Sequence, residues 1–154
     1  MSLLSDLVFS TQDGLVVFPQ HLLLELEKYR QSTALLPESG GILLGSMRGK
    51  NIEITDYTIP QPDDTRSRYR FERCSLGHIN KAVSVWNKSD GIVSYIGEWH
   101  SHPEVSASPS SIDLAEWHRK LPRRPVFLVI IGIQTNWFGY WNGNIIEPIG
   151  DLNH

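Results

Sequence analysis

The sequence has little of what would place it in several large protein classes. Its 154 residues include a single cysteine, Cys74, so an intramolecular disulfide and a cysteine-rich zinc finger are both excluded. The formal charge of -3 offers no general attraction to nucleic acid or to an anionic membrane surface. The longest apolar runs, such as Val126–Ile133, fall far short of the roughly 18 residues that would span a bilayer. We therefore expect neither a nucleic-acid partner nor a membrane.

The beginning of the sequence also lacks the features of a secretory signal. Met1–Ser10 has no basic region and carries Asp6, which favours a cytoplasmic protein. Hydrophobic residues make up 40% and charged residues 20% of the chain, as in an ordinary globular protein. The length suits one domain, and we expect it to cover residues 1–154.

Apolar periodicity predicts more strands than helices. Strands are predicted at Val8–Ser10, Leu15–Phe18, Gly40–Met47, Ile52–Tyr57, Ile92–Trp99, Val126–Ile133, Trp137–Trp141 and Ile145–Glu147. Helices are predicted at Pro19–Gln31, at Ser75–Trp86 with Ser75 as the N-cap, and at Ser110–Lys120. The polar segment Pro60–Arg70 is predicted to be a loop. Strands and helices mixed along the chain indicate a single α/β or α+β domain.

One segment combines residue types that bind metal. His100 and His102 are two residues apart, so on a strand both imidazoles lie on the same face. Seven residues then separate His102 from Ser110, and Asp113 follows at the first turn of a predicted helix. Two histidines and one carboxylate leave a fourth position open, as catalytic zinc requires.

Each part of this pattern has an ordinary explanation. Two histidines on a strand are more often surface or core residues than a ligand pair. Ser110 and Asp113 are also typical of a capping box, in which each side chain binds the backbone of the other residue. The two histidines, the fixed gap and the Ser-x-x-Asp together are much rarer than any one of them, and the combination favours a site.

The motif extends into a family resemblance. His100-Ser101-His102-Pro103, followed by Ser110 and Asp113, resembles the H-[ST]-H-P…S-x-x-D signature of the JAMM (JAB/MPN-type) metallopeptidases. Glu38, before Gly40-Gly41-Ile42-Leu43-Leu44-Gly45, resembles the glutamate that precedes a G-x-L-x-G strand in that family. The resemblance implies a single JAB/MPN domain with a mixed, mostly antiparallel, curved sheet flanked by two to three helices.

The resemblance also implies roles for individual residues. His100, His102 and Asp113 would hold one zinc ion per chain, Glu38 would be the general base, and Ser110 would stabilise the oxyanion. Glu98 is a rival for the base, because it lies two residues before His100 on the same strand face. Spacing favours Glu98, whereas the resemblance favours Glu38 and leaves Glu98 to orient a histidine.

Three further features carry weaker hypotheses. Cys74 and His78 at i and i+4 could mimic a nucleophile and base, but a free, partly buried cysteine without that role is favoured because no third residue orients the pair. His118 is interpreted as a surface residue. The four arginines of the region before the second helix either form a solvated face or border the cleft and contact a substrate tail; they are Arg66, Arg68, Arg70 and Arg73.

Within the family, Gly97–Pro103, the Pro60–Arg70 loop and the length are most similar to prokaryotic JAB proteins. Among these, the chain resembles isopeptidases found beside ubiquitin-transfer-like (E1/E2-like) enzymes in bacterial anti-phage systems of the CBASS type. The resemblance implies an enzyme that removes a ubiquitin-like or nucleotidyltransferase-type protein joined to its target through its C-terminus. The alternatives are a peptidase that processes a sulfur-carrier or small ubiquitin-like precursor, and a metal-free scaffold subunit.

Overall fold

An eight-stranded sheet organises the structure, a computed structural model in which residues 5–152 are described. The elements in chain order are β1 (Leu7–Ser10), β2 (Leu15–Phe18), α1 (Gln20–Glu27), β3 (Gly40–Arg48), β4 (Asn51–Tyr57), β5 (Thr65–Ser67), β6 (Arg70–Glu72), α2 (Leu76–Lys88), β7 (Ser94–Ser101), α3 (Ser111–Lys120), β8 (Val126–Ile131), β9 (Trp137–Trp141) and β10 (Ile146–Pro148). The single domain predicted for residues 1–154 includes residues 1–4 and 153–154, which lie outside the described residues.

The strand order of the sheet is β1-β2-β4-β3-β7-β8-β9-β10. The β2–β4 and β7–β8 pairs are parallel, and the other neighbours are antiparallel. The predicted mixed, mostly antiparallel sheet is therefore confirmed. Strand β7, which carries His100 and Ser101 and ends just before His102, lies near the middle of the sheet between β3 and β8.

The sheet curls until its two edges meet. Phe9 in β1 forms an antiparallel bridge with Asp151, beyond β10. The amide of Leu152 donates to the carbonyl of Val8 over 2.7 Å, and the amide of Val8 donates to Oδ1 of Asp151 over 3.0 Å. The curvature implied by the family resemblance is confirmed by this closure.

Strand β8 separates two hydrophobic cores. All six of its residues are buried, which explains its continuous apolar sequence. Phe127, Val129 and Ile131 pack on the same side as α1, whereas Val126, Leu128 and Ile130 pack with α3. Because His100 pairs with Ile130, the His100 side chain lies on the α3 side of the sheet.

Helix α1 is shorter than predicted. It ends at Glu27 rather than near Gln31, since the amides of Tyr29 and Arg30 bond three residues back, to Leu26 and Glu27, in tight turns. The Gln31 side chain is fully buried beyond the helix end. No helix within residues 5–152 is long and apolar enough to cross a membrane.

Helix α2 has the predicted start but an unexpected orientation. Ser75 is the N-cap, and its hydroxyl accepts from the amide of Gly77. The apolar face predicted from periodicity is exposed to solvent; its members are Leu76, Ile79, Val83 and Trp86, which are between 50% and 67% exposed. The buried residue on this helix is instead His78. Its ring contacts the Thr58 hydroxyl and the Asp64 carboxylate over 2.6 and 2.7 Å.

The segment Pro60–Arg70 is not a loop throughout, and that prediction was wrong for its second half. Strand β5 begins at Thr65 and pairs antiparallel with β6, so Thr65–Glu72 forms a small hairpin. Its Phe71 ring covers Gly40, where a Cβ would lie 2.6 Å from the ring. The absence of a side chain at Gly40 therefore lets the hairpin approach the end of β3.

Candidate metal centre

The three proposed ligands converge in the structure. His100 and His102 lie at and just beyond the end of β7, and Asp113 lies in the first turn of α3. The two Nε2 atoms are 3.1 Å apart. Asp113 Oδ1 lies 3.4 Å from Nε2 of His100, and its Oδ2 lies 3.0 Å from Nε2 of His102. One side-chain atom from each residue thus borders a single small space.

These separations fit a tetrahedral metal ion. Zinc–nitrogen and zinc–oxygen bonds of about 2.0–2.1 Å place tetrahedral ligand atoms about 3.3 Å apart. The observed distances of 3.0 to 3.4 Å agree with this value. Two imidazole nitrogens that face each other at 3.1 Å also need a shared positive centre or a proton between them. Two histidines and a carboxylate are a donor set that suits a hydrolytic zinc ion.

Asp113 has a second function in the fold. Its Oδ2 accepts from the amide of Ser110 over 2.9 Å, and its own amide donates to the Ser110 hydroxyl over 3.0 Å. The two residues therefore form a capping box at the start of α3. The capping explanation and the ligand explanation are compatible, because the same carboxylate meets both sets of partners.

Glu104 is a site residue that the sequence reasoning missed. Its Oε1 lies 2.8 Å from Nδ1 of His102, on the other side of the ring from Asp113. A carboxylate that binds the second nitrogen of a histidine fixes the orientation of the ring and raises its basicity. The available signal was a carboxylate two residues after the second histidine, in His102-Pro103-Glu104.

The cluster stabilises positive charge. Burial alone would raise the pKa of Asp113, but hydrogen bonds from His100 and His102 hold it well below its usual range. Burial would lower the pKa of His102, whereas its hydrogen bonds to Asp113 and Glu104 raise it to about 9. The position between these side chains therefore favours a cation.

Glu38 lies beside this cluster, and two hydrogen bonds with the hairpin fix its backbone. Its amide donates to the carbonyl of Ser67 in the hairpin over 2.7 Å, and its carbonyl accepts from Nε of Arg66 over 2.8 Å. The residue is 5% exposed. Burial raises the pKa of its carboxyl to about 7, although the charges of His100 and His102 act in the opposite direction. A carboxyl with this pKa exchanges protons readily near neutral pH.

Ser110 lies at the mouth of the site. Its hydroxyl oxygen accepts from the amide of Asp113, so the hydroxyl proton remains available for donation to another oxygen. The residue is exposed, unlike Glu38, and a molecule in the groove can reach it.

Glu98 is engaged elsewhere. Its carboxylate accepts from the hydroxyl of Tyr95 over 2.7 Å and from Nε1 of Trp117 over 3.2 Å, and it pairs with Arg73 over 3.4 Å. Both oxygens are therefore occupied by partners other than a histidine. The expectation that Glu98 orients a histidine stays a prediction, and an effect on His100 would pass through the Trp117 ring, which lies 5.8 Å from the His100 ring.

Three of the four arginines, Arg66, Arg70 and Arg73, are exposed, as a solvated face predicts, but each of the four also has a partner within the protein. Arg66 and Arg68 donate to backbone carbonyls, of Glu38 and of Thr33 respectively. Arg70 contacts Glu116 in α3 over 2.8 Å and so links the hairpin to that helix. Arg70 and Arg73 also line the groove beside the candidate metal centre, and contact with a substrate tail stays a prediction.

The remaining candidates form no second site. Cys74 is free, but the expected partial burial was wrong because its side chain is exposed. The nitrogens of His78 contact Thr58 and Asp64 instead of Cys74. His118 is exposed on α3, and its ring lies at a steep angle to that of Trp141, with centroids 5.3 Å apart.

A groove of about 1130 Å³ passes over the candidate metal centre. The hairpin borders one side of it and α3 borders the other, and His100 and His102 line it between them. Glu38, Ser110 and Asp113 open into the same groove, so all five residues predicted for the site meet there. The space is large enough for an extended peptide segment.

Comparison with known proteins places this arrangement in a family. The family model described as "Prokaryotic homologs of the JAB domain" matches residues 22–142. Proteins of Escherichia coli and Vibrio cholerae named CD-NTase/cGAS isopeptidase are each 36% identical to the chain. The alignments cover 95% of both chains in the first case and 87% of both in the second.

A solved structure supports the fold. A protein of Desulfitobacterium hafniense, determined in solution, superimposes with a TM-score of 0.61 at 18% identity. The superposition covers 84% of this chain and 86% of the other. The matched range of the family model contains Glu38, the two histidines, Ser110 and Asp113. The chain therefore belongs to the family of prokaryotic homologs of the JAB domain.

Proposed function

We propose that the chain is a zinc-dependent isopeptidase that hydrolyses an amide bond at the C-terminus of a conjugated protein. The observation that carries the proposal is the meeting of His100, His102 and Asp113 beside the buried carboxyl of Glu38, in an open groove. Relatives named CD-NTase/cGAS isopeptidase support the substrate class.

His100, His102 and Asp113 would hold the metal, and a zinc ion there would supply Lewis acidity toward water and the scissile carbonyl. Glu38 accepts the proton of the attacking water at its carboxylate, which lies in the same groove as the three ligands. The Ser110 hydroxyl donates a hydrogen bond to the developing oxyanion. Glu38 then gives its proton to the departing amine, and both carboxyl and metal ligands return to their initial state.

The groove suits a flexible C-terminal tail. It is open at the surface and lined by the hairpin and α3, so a chain end can lie across the metal centre while the folded part remains outside. We infer that the substrate is a nucleotidyltransferase-type protein joined to another molecule by its C-terminus, as in CBASS-type anti-phage defence. E1-like and E2-like enzymes would form the bond that this chain cleaves. Action on such conjugates is proposed to take place in the cytoplasm.

The test is cleavage of a CD-NTase fused through its C-terminus to a fluorescent protein. We expect the zinc-loaded chain to cut directly after the last residue of the CD-NTase, so that the CD-NTase is released with its natural C-terminus. Glu38→Gln should lower the rate about 100-fold to 10,000-fold, because it removes the proton acceptor. Glu53→Gln, on the exposed face of β4, is the matched control and should keep the full rate.

Parallel substrates distinguish the alternatives. A ubiquitin-like or sulfur-carrier fusion cleaved faster than the CD-NTase fusion would redirect the substrate assignment. Equal cleavage of a short peptide with the same tail would indicate a trimming peptidase. A zinc-loaded protein that cleaves none of these would overturn the hydrolytic proposal and favour a scaffold.

A further inference from the structure

A buried hydroxyl lies between the two histidines of the motif. Ser101 is 0% exposed and, by strand alternation, points to the face opposite His100. Its amide donates to the carbonyl of Ser39 over 2.9 Å, and its Oγ accepts from the amide of Ser39, also over 2.9 Å. The hydroxyl thus accepts the hydrogen bond that a backbone carbonyl would accept in a regular sheet. The β3–β7 pairing, whose last pair is Gly40 and His100, is in this way extended by one residue toward Glu38.

The same hydroxyl continues into a buried side-chain network. Ser101 Oγ donates to Oε1 of Gln31 over 2.9 Å. Nε2 of Gln31 donates to the carbonyls of Leu36 and Arg68, over 3.2 and 2.8 Å. Gln31 is 0% exposed. Its one amide group joins three segments: Ser101 at the end of β7, Leu36 before Glu38, and Arg68 in the turn of the hairpin.

The hairpin holds the same backbone from its other side. Nη2 of Arg66 donates to the Ser39 hydroxyl over 2.7 Å, while its Nε donates to the carbonyl of Glu38. Residues 38 and 39 are thus fixed between the end of β7 and the hairpin. Proton transfer depends on such placement, since a displacement of about 1 Å can cost about 100-fold in rate.

We propose that Ser101 and Gln31 are positioning residues that set the place of the Glu38 carboxyl relative to His100 and His102. The inference rests on the proposed function of Glu38 as proton acceptor. Neither residue contacts the groove, and both act through the backbone of residues 38 and 39.

The kinetic test compares three variants of the full chain. Ser101→Ala removes the acceptor for the Ser39 amide and should lower kcat about 10-fold to 100-fold, with KM and zinc affinity unchanged. Ser101→Thr retains the hydroxyl and should recover most of the rate. Gln31→Met removes both sets of amide hydrogen bonds and should lower kcat in the same direction.

A readout that needs no activity is hydrogen exchange of the Ser39 amide. Ser101→Ala should accelerate this exchange more than 10-fold, and Ser101→Thr should restore protection. Ile52→Val is the control for stability alone, because Ile52 is buried in β4 and pairs with Met47, at the opposite end of β3 from Glu38. It should lower the melting temperature without changing kcat or the exchange of Ser39.

The outcomes separate this inference from the proposed function. Loss of kcat together with loss of Ser39 protection, at constant zinc affinity, supports positioning. An unchanged kcat in Ser101→Ala overturns the positioning inference. A loss of kcat that is matched by an equal loss of zinc affinity also overturns it. If the wild-type chain cleaves no substrate, the proposed function fails, and crystal structures still decide the positioning. Identical Glu38 positions in wild type and Ser101→Ala would then overturn the inference.

Discussion

Oε1 of Glu104 lies 2.8 Å from Nδ1 of His102, while Nε2 of the same ring faces Asp113 at 3.0 Å. The imidazole is therefore held from both ends. A carboxylate partner of this kind raises the metal affinity of a histidine as well as fixing its orientation.

We predict that Glu104→Ala weakens zinc binding by about 10-fold to 100-fold. Glu104→Gln should have a smaller effect, since its amide oxygen can still accept from Nδ1. Competition with a chromophoric chelator measures both affinities. Equal affinities for wild type and Glu104→Ala would show that the exposed carboxylate does not support the ligand.

Zinc should stabilise the folded chain through His100, His102 and Asp113. At a free zinc concentration 100 times the dissociation constant, binding adds about 2.7 kcal/mol to the free energy of unfolding. Thermal unfolding with and without a chelator should show this increase for wild type and lose it for His102→Ala. His118→Ala, an exposed histidine on α3, is the matched control and should keep it. An equal zinc effect in His102→Ala would place the metal elsewhere.

The raised pKa of Glu38 has a consequence for stability in the metal-free protein. Burial raises this pKa to about 7 in the folded protein. The contribution of the protonated carboxyl to the free energy of unfolding is therefore fully present below the pKa of the unfolded state, and it is lost as the pH rises through 7. Glu38→Gln keeps a neutral side chain at every pH. Relative to wild type, we expect this variant to gain up to about 3 kcal/mol in free energy of unfolding between pH 4 and pH 8.

Urea denaturation of chelator-treated protein at the two pH values measures this difference. His102 and Asp113 titrate in both proteins, whereas the charge interaction between Glu38 and His102 is lost in the variant. A difference between the two proteins that does not change with pH would show that Glu38 titrates at its ordinary value.

The outward orientation of α2 gives a test on stability. Val83→Thr should change the free energy of unfolding by less than about 0.5 kcal/mol, because Val83 is 52% exposed. The same substitution at the fully buried Val129 should cost about 1–3 kcal/mol, since it buries a hydroxyl in an apolar core. Denaturation curves of the two variants provide the comparison. Equal losses would mean that Val83 is covered in solution.

Local patterns predicted the parts of the site that lie close together in sequence. His100, His102 and Asp113 are brought together by a strand end, a short connection and a helix start, all of which leave periodic or capping signals. Glu38 reaches the site through the pairing of β3 with β7, which joins residues about 60 positions apart, as in the Gly40–His100 pair. Spacing alone favoured Glu98, and only the family resemblance identified Glu38.

Other features left no signal that could be interpreted from the sequence. The three residues of β5 are all exposed and polar, so they lack the apolar alternation that marks a strand. The apolar face of α2 has helical periodicity, but periodicity identifies an apolar face without showing what covers it. The partners of Glu98 are set by where Trp117 and Arg73 arrive in three dimensions.

The capping box of α3 makes the proposed metal binding and the start of the helix depend on one carboxylate, that of Asp113. A substitution at Asp113 therefore damages two properties together, and a loss of activity in such a variant does not by itself demonstrate a metal ligand. Conversely, a relative that had abandoned catalysis would still be selected to keep an acidic residue here for its fold. The histidines and Glu38, which have no such structural duty in the helix, are the better markers for separating active members of the family from silent ones.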